Sequence, residues 1–471
     1  MRRRQWRWKR RWRSSGSSKR RTKARREAES RCGCDARAPM KKTAVIVGAG
    51  HRALLYAGYA KARPDELAIV GVADPSARRR ELAAREFGLT PAQCHVSAEA
   101  LAAEGKSADF AINGTMDHQH VATTLPLLEA GYDVLLEKPF ATTEDDLWRL
   151  VAAARHLGRK VSICHVLRYA PFYAAIRSEV EQGSIGEIVS VQAVEHVSYH
   201  HMAVSYVRGK WGRKSYCGSP MLMAKSCHDL DLIAWMKRGV APATVASVGS
   251  NFQFRPEKAP PGAGTRCLVD CPIEKDCLYS ARKHYLDHPE RWAFYVWDAL
   301  EHLDAPTAAD REALLKGDSA YGRCVWKCGI DIVDHESVAI AFADGATATL
   351  SMIGGAAKPS RSLHLVGTRG EIQGNLEDSR FVVRGIDPRP GREFSERVVD
   401  LKIGGDMTGA HGGHAGGDLR LVADFLRLLR GEPPSISATT IEDSIAGHLL
   451  GFAAERSREQ CRIVSVRPAV S

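Results

Sequence analysis

Between residues 42 and 74 the chain reads as strand, glycine turn, helix and strand, and this stretch restricts the fold more than any other. Lys42 to Val47 is a short apolar run that ends in Gly48-Ala49-Gly50-His51-Arg52-Ala53, and Leu54, Leu55, Ala57 and Tyr59 follow at helical spacing. The pattern is G-x-G-x-x-(G/A). Gly48 permits the tight turn, Gly50 lets a pyrophosphate approach the backbone, and Ala53 keeps helix and strand close. A second apolar run, Ala68 to Ala73, ends in Asp74, 21 residues beyond Ala53. An acid at that spacing accepts hydrogen bonds from the 2′-hydroxyl of NAD and repels a 2′-phosphate. Arg78, Arg79 and Arg80 keep NADP open as the alternative, or form the solvated face of the next helix.

The alternation continues with strands over 109–113, 132–136 and 160–164 and helices over 118–130 and 143–157, which predicts a doubly wound parallel sheet across residues 43–165. Ligands of such sheets bind at the carboxyl ends of the strands. That places Asn113-Gly114-Thr115 and Glu137-Lys138-Pro139 beside the cofactor. From residue 166 the pattern changes to an α+β domain. Residues 188–196 alternate as a half-buried strand, 337–342 and 346–352 flank Asp344-Gly345 as a hairpin, 363–366 is a further strand and 441–457 a late helix.

The net charge of +12 is localised. Residues 1–40 hold 16 Lys or Arg against Glu27, Glu29 and Asp35, which leaves the rest of the chain at −1. Residues 1–42 are expected to be a disordered basic tail, with Met40 as a natural start and 1–39 as an upstream extension. Its Trp6, Trp8 and Trp12 among arginines also suit phosphates and bases or an anionic membrane surface. The near-neutral folded body implies no nucleic-acid partner. No run of about 18 apolar residues is free of polar breaks, so no transmembrane helix is expected. Twelve cysteines without a secretory signal point to a reducing cytoplasm rather than a disulfide framework.

The glycine turn, Thr115 to His120, Glu137-Lys138-Pro139, Arg168-Tyr169-x-Pro171, Gly183 to Ile188, His228-Asp229-Leu230-Asp231 and Gly367 to Glu371 together resemble the glucose-fructose oxidoreductase and inositol dehydrogenase (Gfo/Idh/MocA) family. The resemblance covers essentially everything after residue 42. It implies a Rossmann domain, then an α+β domain over 166–471 with an open, mostly antiparallel sheet that backs the site and often joins subunits into a homo-oligomer. By resemblance, Lys138 and His228 serve hydride transfer to or from a sugar or polyol carbon. The chemistry agrees, since a base must take the hydroxyl proton while an ammonium steadies the alkoxide.

The residues expected on the cofactor are Gly48, Gly50, His51, Arg52, Asp74, Asn113, Thr115, His120, Glu137 and Lys138. Those expected on the substrate are Arg168, Tyr169, His196, Tyr199, Trp211, Lys225, Asp229 and His414. The segment 195–216 is crowded with polar and aromatic groups, which suits a carbohydrate or an interface loop equally. Inositol dehydrogenase-like members commonly carry an aspartate four residues before the histidine, where this chain has Ala224. Lys225, three residues before His228, is expected to face it and depress its pKa, while Asp229 pairs with Lys225 at i+4. Asp418 reads as an N-cap.

Cys267, Cys271 and Cys277, followed by Cys324 and Cys328, lie in an apparent insertion at about 255–328 that shows little core of its own. Their spacing suggests a structural zinc held by Cys267, Cys271, Cys277 and Cys328, or unligated buried thiols. The leading function is an NAD(P)-dependent sugar or polyol dehydrogenase. An NAD-dependent glycoside hydrolase that works by transient oxidation is the alternative, and a non-catalytic binding protein is a third.

Overall fold

The computed structural model describes residues 40–402, 414 and 416–466. The expectations placed on residues 1–39 of the basic tail therefore fall outside the described residues, whereas Lys42, counted in that tail, begins the first strand. Lys41 onward belongs to one compact unit, built on two sheets.

The first sheet forms from β1 (Lys42–Val47), β2 (Leu67–Ala73), β3 (Cys94–His95), β4 (Phe110–Asn113), β5 (Asp133–Leu136) and β6 (Val161–Ile163), all parallel in the order β3-β2-β1-β4-β5-β6. The strands are buried on both faces, as helices cover each side. These are α1 (His51–Ala57), α2 (Ala77–Phe87), α3 (Ala98–Ala103), α4 (His120–Glu129) and α5 (Glu144–His156). Thr143, expected inside α5, is instead its N-cap and accepts a hydrogen bond from the Asp146 amide. The strand order reverses between β1 and β4, which opens a crevice at their carboxyl ends.

Beyond α6 (Pro171–Glu181), β7 (Ile188–Ser198) leads through the buried helix α7 (Met221–Met236) to β8 (Pro242–Ser250). A long excursion carrying α8 (Ala308–Lys316) precedes β9 (His335–Phe342), β10 (Thr347–Ala356), β11 (Ser360–Gly367), β12 (Gly370–Asn375), β13 (Arg380–Ile386) and β14 (Phe394–Asp400). With β15 (Val464–Ser465) they make a nine-stranded sheet ordered β14-β13-β12-β11-β7-β10-β9-β8-β15. Its pairings are antiparallel except β7 with β10. Burial alternates along β9, so one face carries the core and the other is open.

Two late helices complete the unit. In α9 (Gly417–Leu429), Leu421, Val422, Phe425 and Leu426 return to the first sheet and pack with Ile46, Phe110 and Ile112. Phe425 meets Phe110 edge-on at 5.2 Å between ring centroids. The last helix, α10 (Ile441–Gln460), belongs with α7 to the core that runs continuously from Val45 to Val466. The excursion between β8 and β9 also has an apolar cluster of its own. Cys267, Ala281, Tyr285, Trp292, Val296 and Leu315 pack together with Val204, which corrects the expectation of little core: large aromatic residues supply in few positions the area that a longer segment would need.

Candidate active site

Every residue of α7 is buried, so each charge on it needs a partner. Lys225 Nζ lies 3.0 Å from Glu195 Oε1 on β7, and Asp229 Oδ1 lies 3.1 Å from Arg361 Nε on β11. Arg361 Nε also pairs with Glu195, which closes a four-membered network beneath the cleft. Lys225 and Asp229, expected to pair with each other, have thus found partners on the sheet. Asp231 takes a fork from Arg168, at 2.7 and 2.6 Å. His228, like Ser226 and Trp235 on the same helix, has a buried polar atom, Nδ1, without a hydrogen-bond partner among the described residues. Burial, then the positive charges of Lys138 and its neighbours, hold its imidazole well below the usual value. Lys225, expected to depress it, is turned toward Glu195; Lys138 takes that role.

The cleft above His228 encloses about 1160 Å³ of empty space, counting the solvent at its mouth, and sits at the carboxyl ends of β1, β4 and β5. Gly50, His51, Arg52, Thr115, His120 and Glu137 border it from the first sheet, together with Lys138. Trp211, Lys225, His228 and His414 border it from the chain that follows the first sheet. Lys138 Nζ donates to the Ala224 carbonyl at 3.0 Å, one turn before His228. Glu137 fixes the lysine from behind: its Oε2 accepts the Lys138 amide at 2.8 Å, while Oε1 accepts from Arg52 Nε at 2.8 Å and Tyr56 OH at 2.7 Å. Burial would raise the Glu137 carboxyl, but Arg52 and Lys138 bring it below the ordinary range. Arg52 also reaches Asp418 Oδ1 at 2.6 Å, and His414 Nδ1 lies 3.1 Å from Asp418 Oδ2. Asp418 is therefore an ion-pair partner rather than the N-cap expected of it; the N-cap of α9 is Gly416.

Other predicted residues stand behind the cleft. Gly48 (φ +73°) makes the turn, and a Cβ there would lie 2.9 Å from the Thr115 amide nitrogen. Asp74 is buried, with Oδ2 accepting the Ala49 amide and Oδ1 the Ser76 amide, both at 2.8 Å. Asn113 orients Thr115, whose hydroxyl donates to Asn113 Oδ1 at 2.8 Å. Arg168 and Tyr169 do not border the cleft, contrary to expectation: the first is taken up by Asp231, and the Tyr169 hydroxyl donates to Asp424 at 3.1 Å. His196 borders a smaller neighbouring cavity with Arg291, and Tyr199 packs edge-on against Tyr279 and His284. Asp229 stays below the floor, since Arg361 separates it from the open space; burial pushes its carboxyl up to about 6.

Several residues that sequence reasoning did not assign complete the cleft. Arg361 carries no local motif. The insertion contributes Trp292, Phe294, Tyr295 and Asp298. Phe294 stacks on His51 with centroids 3.7 Å apart, and Trp292 stacks on His201 at 3.6 Å. The aromatic density of residues 292–297 was the available signal.

The cysteines are arranged differently from the expected ligand set. Cys267, Cys271, Cys277 and Cys324 border one small cavity, and Cys328 does not. Among the described residues no three His, Cys, Asp or Glu side chains are placed to hold a metal ion. A guanidinium points into the cluster instead, with Arg208 Nη2 donating to Cys267 Sγ at 3.3 Å. A cation in that position opposes a second one.

A doubly wound sheet whose switch-point cleft presents a lysine and a neutral histidine defines a dinucleotide-dependent oxidoreductase. Residues 42–165 match the oxidoreductase family model described as an NAD-binding Rossmann fold, and residues 177–466 match the C-terminal alpha/beta domain of the same family. The chain belongs to the Gfo/Idh/MocA oxidoreductase family and is an NAD-dependent oxidoreductase. It is similar to YteT of Bacillus subtilis (strain 168), 28% identical over 327 residues that cover 67% of this chain and 72% of that one. It is 33% identical to inositol 2-dehydrogenase 1 of Saccharopolyspora erythraea over 150 residues, 32% of this chain and 42% of the relative. The fold is similar to that of levoglucosan dehydrogenase solved with NADH and levoglucosan, with a TM-score of 0.64 at 17% identity over 91% of this chain and 99% of that one. Among the described residues no helix is long and apolar enough to cross a membrane.

Proposed function

We propose that the protein transfers a hydride between NAD and a secondary hydroxyl of a sugar, sugar derivative or polyol, with Lys138 and His228 at the reacting carbon. The observation that carries this reading is that His228, whose buried Nδ1 has no hydrogen-bond partner among the described residues, borders the same cleft as Lys138. The space over the Gly50 backbone is open, as the approach of a pyrophosphate requires: a Cβ added there would approach only Arg79 Nη1, at 3.9 Å. Gly50, Thr115 and Glu137 would hold it, and when bound it supplies the hydride acceptor or donor.

The protein's own residues do the rest. His228, kept neutral by burial, accepts the hydroxyl proton. The Lys138 ammonium, anchored by the Ala224 carbonyl, stabilises the negative charge that develops on that oxygen. Trp211, Trp292 and Tyr295 offer ring faces to the C–H face of a carbohydrate. The inositol and levoglucosan dehydrogenases among the similar proteins support that substrate class.

The test is a screen of sugars and polyols with the purified full chain, read by NADH absorbance. Lys138→Met and His228→Asn should each lower turnover about 10²–10⁴-fold while NADH binding, followed by fluorescence, is kept. Release of an aglycone from glycosides without net NADH would overturn the reading in favour of an internal redox cycle.

A further inference from the structure

The three arginines that follow Asp74 are all occupied, and two of them by the insertion. Arg79 Nε donates to both carboxylate oxygens of Glu301, at 3.0 and 3.1 Å, and its Nη2 lies 3.6 Å from Asp298. Arg78 donates from Nη2 to Asp304 at 2.7 Å and from Nε to the Glu301 carbonyl at 2.8 Å. Arg80 is spent on the Asp74 and Pro75 carbonyls, at 2.6 and 3.0 Å. These side chains begin α2, directly beyond the strand end where a dinucleotide fold places the adenosine ribose. Arg79 and Asp298 both border the cleft, so the salt bridge forms at its rim.

We infer that Glu301, with Asp298 and Asp304, selects the coenzyme from outside the nucleotide-binding domain. The acids of the insertion hold Arg78 and Arg79 away from a 2′-phosphate and present negative charge to it, so that the ribose end accepts NAD and excludes NADP. A ribose hydroxyl pair loses nothing by this arrangement, because it asks for an acceptor, whereas a 2′-phosphate needs a free guanidinium. Specificity here comes as much from an introduced repulsion as from the acid at the end of β2. The inference rests on the dinucleotide reading above and adds the residues that decide between the two coenzymes.

The experiment titrates NADH and NADPH into the full chain, freed of bound nucleotide, with affinity read from nicotinamide fluorescence and no substrate needed. Glu301→Gln should leave NADH affinity within a factor of two and raise NADPH affinity relative to NADH about tenfold. Adding Arg79→Ala to that variant should lower the ratio again, leaving only the part that comes from the lost repulsion. An unchanged ratio in Glu301→Gln with NADH binding intact would overturn the assignment. A parent protein that binds neither nucleotide would instead overturn the dinucleotide reading itself, and this inference with it.

Discussion

A fully buried guanidinium is tolerated only where carboxylate and carbonyl oxygens meet it, and Arg168 shows what that demand does to a motif residue. Its Nε and Nη2 close on Asp231, Nη2 donates as well to the Asp443 carbonyl at 3.1 Å, and Nη1 donates to the Ala438 carbonyl at 3.0 Å. Nothing is left for a substrate. Arg168→Met leaves the Asp231 carboxylate buried and unpaired, so stability to urea should fall by about 3–5 kcal/mol. Arg168→Met with Asp231→Leu should recover a large part of that loss, which a substrate-binding arginine would not do. Lys138 and His228 were legible because their motifs are short and local. Arg361 was not, since a lone arginine on a strand of a β domain has no feature to separate it from any other.

At the scale of elements, the insertion behaves as a cover for the cleft rather than as a separate module. Its core residue Trp292 stacks on His201, its Phe294 stacks on His51 directly after the glycine turn, and its acids grip α2. Burial first, and then Arg52, push the His51 imidazole down to about 4, so the ring against Phe294 is neutral. An aromatic pair of this kind contributes about 0.5–1.5 kcal/mol. Phe294→Ala should therefore speed NADH dissociation roughly two- to tenfold in stopped-flow fluorescence, with little change in the melting temperature. A rate equal to that of the parent would show that the insertion does not restrain the cofactor. Four strands and the last helix of the second domain were readable from period, while β8 and β12 to β14 were not; nor was the approach of residues 292–304 to α2, because no periodicity links segments more than 200 positions apart.

The molecule as a whole stores many neutral histidines. Burial holds His165, His201 and His228 well below the usual value, His448 at about 3, His284 at about 2 and His51 and His200 at about 4. In the unfolded chain each takes up a proton near pH 6.5, whereas the folded protein does not. The unfolded state thus binds more protons below pH 6.5, and stability falls as the pH drops toward the folded-state values. Glu336, raised to about 7, and Asp229, raised to about 6, act in the opposite sense over the same window. Each histidine contributes up to about 1.4 kcal/mol per pH unit, and the histidines outnumber these two acids. Urea denaturation at pH 7.5 and 5.5 should show the protein less stable at the lower value; equal stability would mean that the histidines are not neutral and buried together.

The sequence by itself determined the elements and the local chemistry: the glycine turn, the parallel alternation to residue 165, the later half-buried strands and the lysine at the end of the fifth strand. Each follows from spacing along the chain, through the periods of helix and strand and the φ freedom of Gly48. The tertiary structure decided which charges meet. Arg52 with Asp418, Glu195 with Arg361 and Arg79 with Glu301 are separated by hundreds of positions or by whole elements. Their pairing depends on how the layers pack and on the cost of burying a charge alone. That cost is set by the surroundings of a side chain in the folded molecule, which its neighbours in sequence do not specify.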